Sequence, residues 1–546
     1  MQKLGKQSEI KSSSKEDLFK ELSKRHQNNP FATLSSFPNP KLLKDNEKAS
    51  HRIKKAIENK EKIVLVGDYD VDGVSSSAIM LDFFSQIPYP LTCKIPDRFK
   101  HGYGLSPKLL DEIDSDTKLV ITVDNGINAF ESAKILKERN IDLIITDHHN
   151  PEDTLPQASA VINPKQKDCT FPFKDICGAV VAWYFCSCIK SVLELNTNMS
   201  KYLDILALAS IADVMPMLGL NHTLVKAGLR VMSKREKEPF KVIAEEKQIQ
   251  DFGYEDIGFF LAPLINSAGR LAHASLSLDF LRAKTPKLAS KNFELLSALN
   301  EERKDLQLQV LAEARVQVNK EDAILVLFGS SWHEGVLGIV ASKICEEFKR
   351  PCIILSIENE KAKGSARSNG DFILYDLLFL SKQYLTSFGG HANAAGLTLE
   401  AKNIIPFKES LNDNLKKMNK CLYLEKEIFA KLKLEDIDFE LYDIIKSFEP
   451  YGLQNPKPIF LLENIKAYNY SLLGKEKNHL KILLEHNGNF LEALFFNFKI
   501  KDTQNLNILK NNIDIVFTLS LNTFRNQSKI NLLISSLEAS KAPNQN

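Results

Sequence analysis

The sequence predicts an α/β protein: a parallel sheet with covering helices, a long helix, a second α/β section and a small terminal β-barrel. Three observations carry that expectation. Apolar, β-branched runs alternate with helix-period segments from Ile63 onward, each of the first runs stops in a cluster of carboxylates or histidines, and after Lys420 short strand-like segments are punctuated by Asn and Lys.

Residues 1–50 mix Lys, Glu, Ser and Asn, with one short helix expected near Ser14 and an irregular lead-in through Pro30, Pro38 and Pro40. His51 to Lys60 reads as a basic amphipathic helix feeding the strand Ile63–Val66. After Asp68, Asp70, Asp72 and Gly73, the segment Val74–Phe84 is helical, with Ser75, Ser76 and Ser77 in its first turn. The unit recurs twice. Lys118–Val123 ends in Asp124-Asn125-Gly126 before a helix, and Ile141–Thr146 ends in Asp147-His148-His149. In parallel sheets ligands gather beyond the carboxyl ends of the strands, and all three clusters fall there. A shorter strand, Ala160–Asn163, precedes an apolar helix Gly178–Leu193 whose Trp183 and Tyr184 are packing groups, and the buried helix Tyr202–Ile211 leads to Asp213. Lys287–Val318 fits one long helix, with Glu301, Glu302, Arg303 and Lys304 expected on a solvated face. Ala323–Phe328 opens the second α/β section, which reaches Gly389-Gly390-His391. The short segments Pro458–Leu462, Leu480–Leu484 and Ile513–Leu519 suggest a barrel of the oligonucleotide-binding type.

Composition bounds the class. At 546 residues the chain exceeds one compact core, and 44% hydrophobic with 26% charged residues is ordinary for a globular enzyme. No long uncharged apolar run and no apolar N-terminal core are present, so neither a membrane span nor a secretory signal is expected. The eight cysteines are scattered without a CxxC pair, as in reduced cytoplasmic proteins. With a formal net charge of +2, any nucleic-acid site has to be a local basic groove.

The acidic stretch after the first strand carries the chemistry. If the chain stays extended through Asp68, Asp70 and Asp72, alternation points all three carboxylates one way, and their repulsion calls for a hard cation such as Mg²⁺ or Mn²⁺. Alone, the stretch reads equally well as a solvated acidic turn. Alone, Asp147-His148-His149 reads as a helix cap before surface histidines. Their occurrence at successive strand ends favours a site in which Asp70, Asp72, Asp124, His148 and Asp213 hold two divalent ions, suited to clamping a phosphate for in-line displacement.

In that order these residues resemble the signature of the DHH phosphoesterase superfamily and, within it, the RecJ family of single-strand-specific 5′-to-3′ exonucleases. Similar pieces are Pro96-Asp97-Arg98, His101-Gly102-Tyr103-Gly104, Asn266 to Leu271, Trp332 to Gly335, Gly364 to Ser368, Gly389 to Gly396, and Pro450-Tyr451-Gly452 with Asn455 to Pro458. The resemblance implies an N-terminal extension (1–50), a DHH catalytic domain (51–225), a helical section with a connecting helix (226–320), a DHH-associated domain (321–422) and an OB-like domain (423–540).

It also implies roles. Asp124 bridges two metals, Mn²⁺ or Mg²⁺; Asp70 holds one, and Asp72, His148 and Asp213 complete the other. Asp68 and His149 are matched positions that either ligate, orient ligands or contact phosphate. Arg270, Ser365 and Arg367 offer donors to phosphate, and Gly389-Gly390 let the chain approach one before a helix N-terminus. Arg98 and Tyr103 gate or stack on the 5′ end, and His333 and His391 are further contacts. Each of these, taken singly, also fits an ordinary loop or packed residue.

The expected function is degradation of single-stranded DNA to 5′-mononucleotides in repair and recombination, by a monomer working beside a single-strand-binding protein or a helicase, with no membrane partner. Rivals are a DHH phosphatase or oligoribonuclease for short substrates, and a catalytically silent DNA-binding scaffold. Val66 stands four residues before Asp70, where some phosphatases of the superfamily have a ligating His, and the long C-terminal section also argues against the first rival.

Overall fold

The computed structural model describes residues 14–540 apart from 391, 426, 476, 497, 499–503 and 525–526, so His391 lies outside the described residues. Two compact units divide the chain, one of residues 37–215 and 227–424, the other of residues 1–36, 216–226 and 425–546.

The first unit begins with a wholly parallel sheet. Its strands are β1 (Lys62–Val66), β2 (Thr92–Lys94), β3 (Thr117–Val123), β4 (Asp142–Thr146) and β5 (Ala160–Ile162), in the order β2-β1-β3-β4-β5. The chain leaves β1 for β2 on one side and then returns to β3 on the other. That reversal opens a crevice between β1 and β3 at their carboxyl ends. The strands are buried on both faces, and so are continuous β-branched runs instead of alternating ones. One face packs Val64, Val120, Leu143 and Ile145 against Ala133 and Leu136. The helices α1 (Val71–Phe84), α2 (Gly178–Val192) and α3 (Leu203–Ala212) are buried over most of their circumference, as their all-round apolar composition requires.

The second sheet has strands β6 (Leu325–Ser330), β7 (Cys352–Glu358), β8 (Lys361–Arg367), β9 (Leu385–Gly390) and β10 (Ala394–Glu400), in the order β6-β7-β8-β10-β9. Only β6 and β7 are parallel, as the intervening helix demands; the later pairs are antiparallel. The expectation of a helix after Gly389-Gly390 is corrected here. Ala395, Leu397 and Leu399 are buried and alternate with half-buried or exposed positions, a period of two that makes this segment strand β10.

Two helices join the sheets. Helix α4 (Ala262–Leu271) is tied to α5 (Pro286–Arg315) by the Ser267 hydroxyl, which donates to the carbonyl of Leu264 at 2.6 Å and approaches that of Leu296 at 3.3 Å. At its far end α5 packs Val310, Leu311 and Ala314 against Val336, Leu337 and Val340 of α6 (Glu334–Phe348). Glu301, Glu302 and Lys304 are exposed as expected, but Arg303 is only 7% exposed. At 100° per residue, position 303 falls on the same stripe as 296, 300, 307 and 310, which is the inner one.

In the second unit, β11 (Ala430–Lys431), β12 (Phe460–Leu473), β13 (His479–His486), β14 (Asn489–Phe495), β15 (Asn512–Phe524) and β16 (Gln527–Ala539) form one sheet that closes through a β12–β15 pairing. Register shifts within β12 and β15 let these long strands bend around a core containing Phe460, Leu462, Ile482, Leu484 and Phe517. The capped helix Lys15–Lys24 joins this unit, with Lys15 paired to Glu440 at 2.7 Å. No helix among the described residues is long and apolar enough to cross a membrane.

Asn125 fastens the crevice between β1 and β3. Its fully buried amide donates to the carbonyls of Val66 (3.2 Å) and Val123 (2.9 Å) and accepts from the Leu105 amide at 3.0 Å. Asn125→Ala strands all three backbone groups, and a loss of about 2 kcal/mol is expected in urea unfolding monitored by circular dichroism.

Candidate active site

The carboxylates meet for a different reason from the one alternation suggests. Strand β1 ends at Val66, and Asp70 is already the cap of α1, its Oδ1 accepting from the amides of Asp72 (3.0 Å) and Gly73 (3.1 Å). Asp72, within the first turn, faces the start of α2 instead and accepts from the amides of Gly178 (2.6 Å) and Ala179 (2.8 Å). Two helix N-termini therefore hold two of the acids. Gly178 is required by this closeness, since a Cβ there would sit 2.6 Å from that of Asp124. Asp124, directly after β3, has φ +62°, a left-handed conformation that costs a non-glycine residue energy and turns its carboxylate into the crevice.

The result is a set of adjoining cages. Ligand atoms of Asp68, Asp70 and Asp124 lie within 4.8 Å of one another, as do those of Asp72, His148 and Asp213, and of Asp124, His148 and His149. His148 Nε2 is 3.1 Å from Asp124 Oδ1 and 3.6 Å from oxygens of Asp72 and Asp213. Yet neither ring nitrogen of His148, nor Asp68 Oδ1, Asp124 Oδ1 or Asp213 Oδ2, makes a hydrogen bond, although all are buried. Buried polar atoms converging without partners are what a cation satisfies, and this donor set of oxygens with one or two imidazoles fits Mn²⁺ or Mg²⁺.

Electrostatics agree with that. Burial, then the neighbouring acids Asp72 and Asp70, pushes the Asp213 carboxyl up to about 8. Burial and the surrounding carboxylates hold Asp68 and Asp124 well above the ordinary range. Burial drives His148 down to about 4, leaving a neutral imidazole with a free lone pair. His149 differs: burial opposes its charge, but Asp147, 2.7 Å from Nδ1, outweighs that and raises it to about 9. Asp147 is no ligand. Its oxygens accept from the amides of Ile127, His148 and His149 and so set the direction of both histidines.

Beside the cages lies a pocket of about 240 Å³ whose lining includes both Asp68 and Asp70 and the guanidinium groups of Arg98 and Arg270. Tyr69 and Tyr103 meet edge to face at 6.3 Å, Arg98 lies over the Tyr69 ring at 5.0 Å, and the Tyr103 hydroxyl donates to the Asp124 carbonyl at 3.0 Å. Arg270 donates to the Gly335 carbonyl at 3.0 Å. Burial, then the charges of Arg98, Arg303 and Arg367, lowers its pKa to about 10. Arg367 is held by Ser365 Oγ at 2.8 Å, and the strand register puts Ser365, Gly396 and Gly389 in one row. His333 is the cap of α6, its Nδ1 accepting from the Gly335 amide at 3.1 Å, and its ring meets Phe99.

Sequence reasoning did not single out Tyr69, Asn266 or Gly269. Asn266 accepts from the Val71 amide at 3.2 Å, and a Cβ on Gly269 would lie 2.3 Å from the Tyr69 carbonyl oxygen, so α4 is seated directly on the acidic loop. The signal for Asn266 and Gly269 was the segment Asn266 to Leu271, and for Tyr69 its place between Asp68 and Asp70; what they touch is a tertiary fact.

Residues 62–210 match the DHH family, N-terminal domain, residues 321–423 the DHHA1 domain, and residues 428–536 the RecJ OB domain. The chain is 32% identical over 535 residues to the single-stranded-DNA-specific exonuclease RecJ of Haemophilus influenzae, covering 93% of this chain and 92% of that one. It is 33% identical over 518 residues to the Bacillus subtilis protein of the same name, covering 93% of this chain and 65% of that longer one. The crystal structure of RecJ in complex with Mn²⁺ from Thermus thermophilus matches with a TM-score of 0.80 at 26% identity, over 96% of this chain and 75% of that one.

The raised carboxyls fix the sign of the metal-free pH dependence. Folded Asp213 keeps its proton up to about 8, whereas the unfolded chain releases it near ~4, so its stabilising contribution is complete at low pH and lost as pH rises towards 8. Lowered His148 acts oppositely, but only between about 4 and roughly 6.5. His149, raised to about 9, adds a fall of the same sign between roughly 6.5 and 9. In chelator, the melting temperature should fall between neutral pH and pH ~8, Mn²⁺ should reduce the fall, and Asp213→Asn should make it shallower while leaving the His149 part. A melting temperature that rises across this range in chelator would contradict the assignment.

Proposed function

The chain belongs to the RecJ family of DHH phosphoesterases, and from that premise we propose that it is a metal-dependent exonuclease that degrades single-stranded DNA from the 5′ end to 5′-mononucleotides. The observation that carries this reading is the adjacency of the carboxylate cages to a pocket walled by guanidinium groups. Its acids suit cations and its guanidinium groups suit phosphate.

Asp124 would serve both ions, Asp68 and Asp70 would complete one cage, and Asp72, His148 and Asp213 the other, a division supported by their mutual distances. When bound, two divalent ions offset phosphate charge, lower the pKa of the attacking water and stabilise the leaving oxygen. The protein's own groups do the rest. Arg270 and the Ser365–Arg367 pair receive the terminal phosphate, which sets polarity by accepting a strand end instead of an interior segment. Tyr69 and Tyr103 flank the first nucleotide, and Arg98, parked over Tyr69, is placed to meet its phosphate. His149, kept charged by Asp147, donates to a phosphate oxygen across the cages. Gly389, one strand beyond Gly396 in the row of Ser365, leaves open space for close backbone approach. His333 acts through α6, whose first turn it caps.

The same reading assigns the protein to DNA repair and recombination in the cytoplasm, as a monomer acting beside a single-strand-binding protein or a helicase. The barrel at 428–536 favours a long strand over a dinucleotide, since it extends beyond what a short-substrate phosphatase needs. Digestion of end-labelled single and double strands with Mn²⁺ or Mg²⁺ tests this. Mononucleotides released from the 5′ end of single strands are expected; preference for a dinucleotide, or binding without release, would overturn it.

Two variants separate the acids from the guanidinium groups. Asp124→Ala should abolish release while leaving strand affinity largely intact, and activity within about tenfold of wild type would remove it from the bridging position. Arg367→Ala should weaken binding and reduce the salt slope of log Kd by about 0.7, the counterion release of one single-strand phosphate contact.

A further inference from the structure

Arg98 and Tyr103 both line the pocket, yet the loop that carries them is only lightly packed. Phe99, Lys100 and Tyr103 are exposed, and a Cβ on Gly102 would meet open space. From Asp97 to Tyr103 the one buried residue is His101, 8% exposed. Its ring closes the turn on itself. The Asp97 amide donates to His101 Nδ1 at 3.0 Å, the His101 amide donates to the Asp97 carbonyl at 2.8 Å, and the Asp97 carboxylate accepts from the amides of Phe99 (2.8 Å) and Lys100 (2.9 Å). An amide can only donate, so Nδ1 is the bare nitrogen and Nε2 carries the proton, which it gives to Glu112 Oε1 at 3.0 Å. Glu112 follows the short helix Pro107–Leu110, whose Leu109 and Leu110 belong to the core packed on the first sheet. The imidazole is therefore a rigid link from a self-bonded turn to the body of the protein. Lys100 also reaches Glu112, at 2.6 Å, but from an exposed and flexible stem whose ion pair contributes little in water. On either side of the fastened turn stand Arg98, over the Tyr69 ring at 5.0 Å, and Tyr103, bonded to the Asp124 carbonyl at 3.0 Å. A turn free to swing would have to be ordered anew by each strand end, at the expense of binding.

We propose that His101 is a positioning residue for the 5′ end: through the Asp97 amide on one side of its ring and Glu112 on the other, it presents Arg98 and Tyr103 in the geometry that receives a phosphorylated terminal nucleotide. This rests on the nuclease reading. His101 lines neither the pocket nor the cages, so it acts through its neighbours, and its loss is a loss of end recognition with turnover kept.

The test removes the anchor at Glu112, which is half-buried and can be replaced without opening the core. KM and kcat are measured for mononucleotide release from a 5′-phosphorylated single strand with Mn²⁺. Fluorescence anisotropy in chelator gives the ratio of Kd for 5′-hydroxyl and 5′-phosphorylated strands of one sequence. Glu112→Ala should raise KM about tenfold, hold kcat within about twofold and lower the Kd ratio about fivefold. Glu112→Gln still accepts from Nε2 and should restore the wild-type ratio; Lys100→Ala removes only the exposed ion pair and should keep it. His101→Ala should match Glu112→Ala, and where it melts too low to assay the Glu112 variants decide. A purely structural turn predicts that Glu112→Ala weakens both strands alike. That result overturns the proposal, as do wild-type KM and ratio in Glu112→Ala, a fall in kcat with KM unchanged, a Glu112→Gln that fails to restore the ratio, or a Lys100→Ala that loses it. Wild-type protein that cuts single strands but binds both ends equally overturns this proposal alone. Wild-type protein that releases no nucleotide overturns the nuclease reading, and this one with it.

Discussion

Carboxylates packed within a few ångströms of one another in a buried crevice repel, and the architecture of the first unit is arranged around making that tolerable. Asp70 is neutralised in part by the N-terminus of its own helix α1, and Asp72 by that of α2, where the Gly178 and Ala179 amides point at it. The approach of α2 needs glycine at 178, because any side chain would enter Asp124. Asp124 in turn holds a left-handed backbone that the β3–β4 pairing and the Asn125 bonds over-determine. What the helices leave uncompensated appears as raised carboxyls and unpaired oxygens, and a divalent ion supplies the remainder.

The same constraint explains the histidines. Both follow β4, yet neighbours give them opposite electrostatics: His148 is buried with its Nε2 towards acids that need cations themselves and its ring against His149, while His149 faces Asp147, whose other contacts are backbone amides that favour its ionised form. Adjacent imidazoles are thereby kept in different protonation states, a neutral one suited to a metal and a charged one suited to a phosphate.

Much of this was legible in the sequence, and for identifiable reasons. The β-branched runs before Asp68, Asp124 and Asp147 mark strands, and three chemically active strand ends mark one sheet edge, so the location of the site followed from periodicity alone. Which acid faces which did not. Asp68, Asp70 and Asp72 alternate only on paper, because the strand stops at Val66 and Asp70 already caps a helix. Gly389-Gly390 read as a helix-entrance motif until β-pairing claimed Ala394–Glu400, since a short alternating segment is specified by its neighbours more than by itself. Arg303 was assigned to solvent from local charge content, although its helical phase set it on the buried stripe; the charged neighbours at 301, 302 and 304 concealed it.

Helix α5 shows how the two sheets are held to a shared geometry. At one end Leu296 and Phe293 bind it to α4 and to Phe280; at the other, Glu313 accepts from the Trp332 indole at 2.6 Å and Arg315 pairs with Glu347 at 2.8 Å. Both ends are anchored by apolar packing or by satisfied polar pairs, and Arg270 of α4 reaches the same joint through the Gly335 carbonyl at the start of α6. The pocket beside the cages takes its acids from the loop after β1 and its Arg270 from the helices that join the sheets, so the placement of its two signs of charge depends on the seating of α4 against α5 and α6.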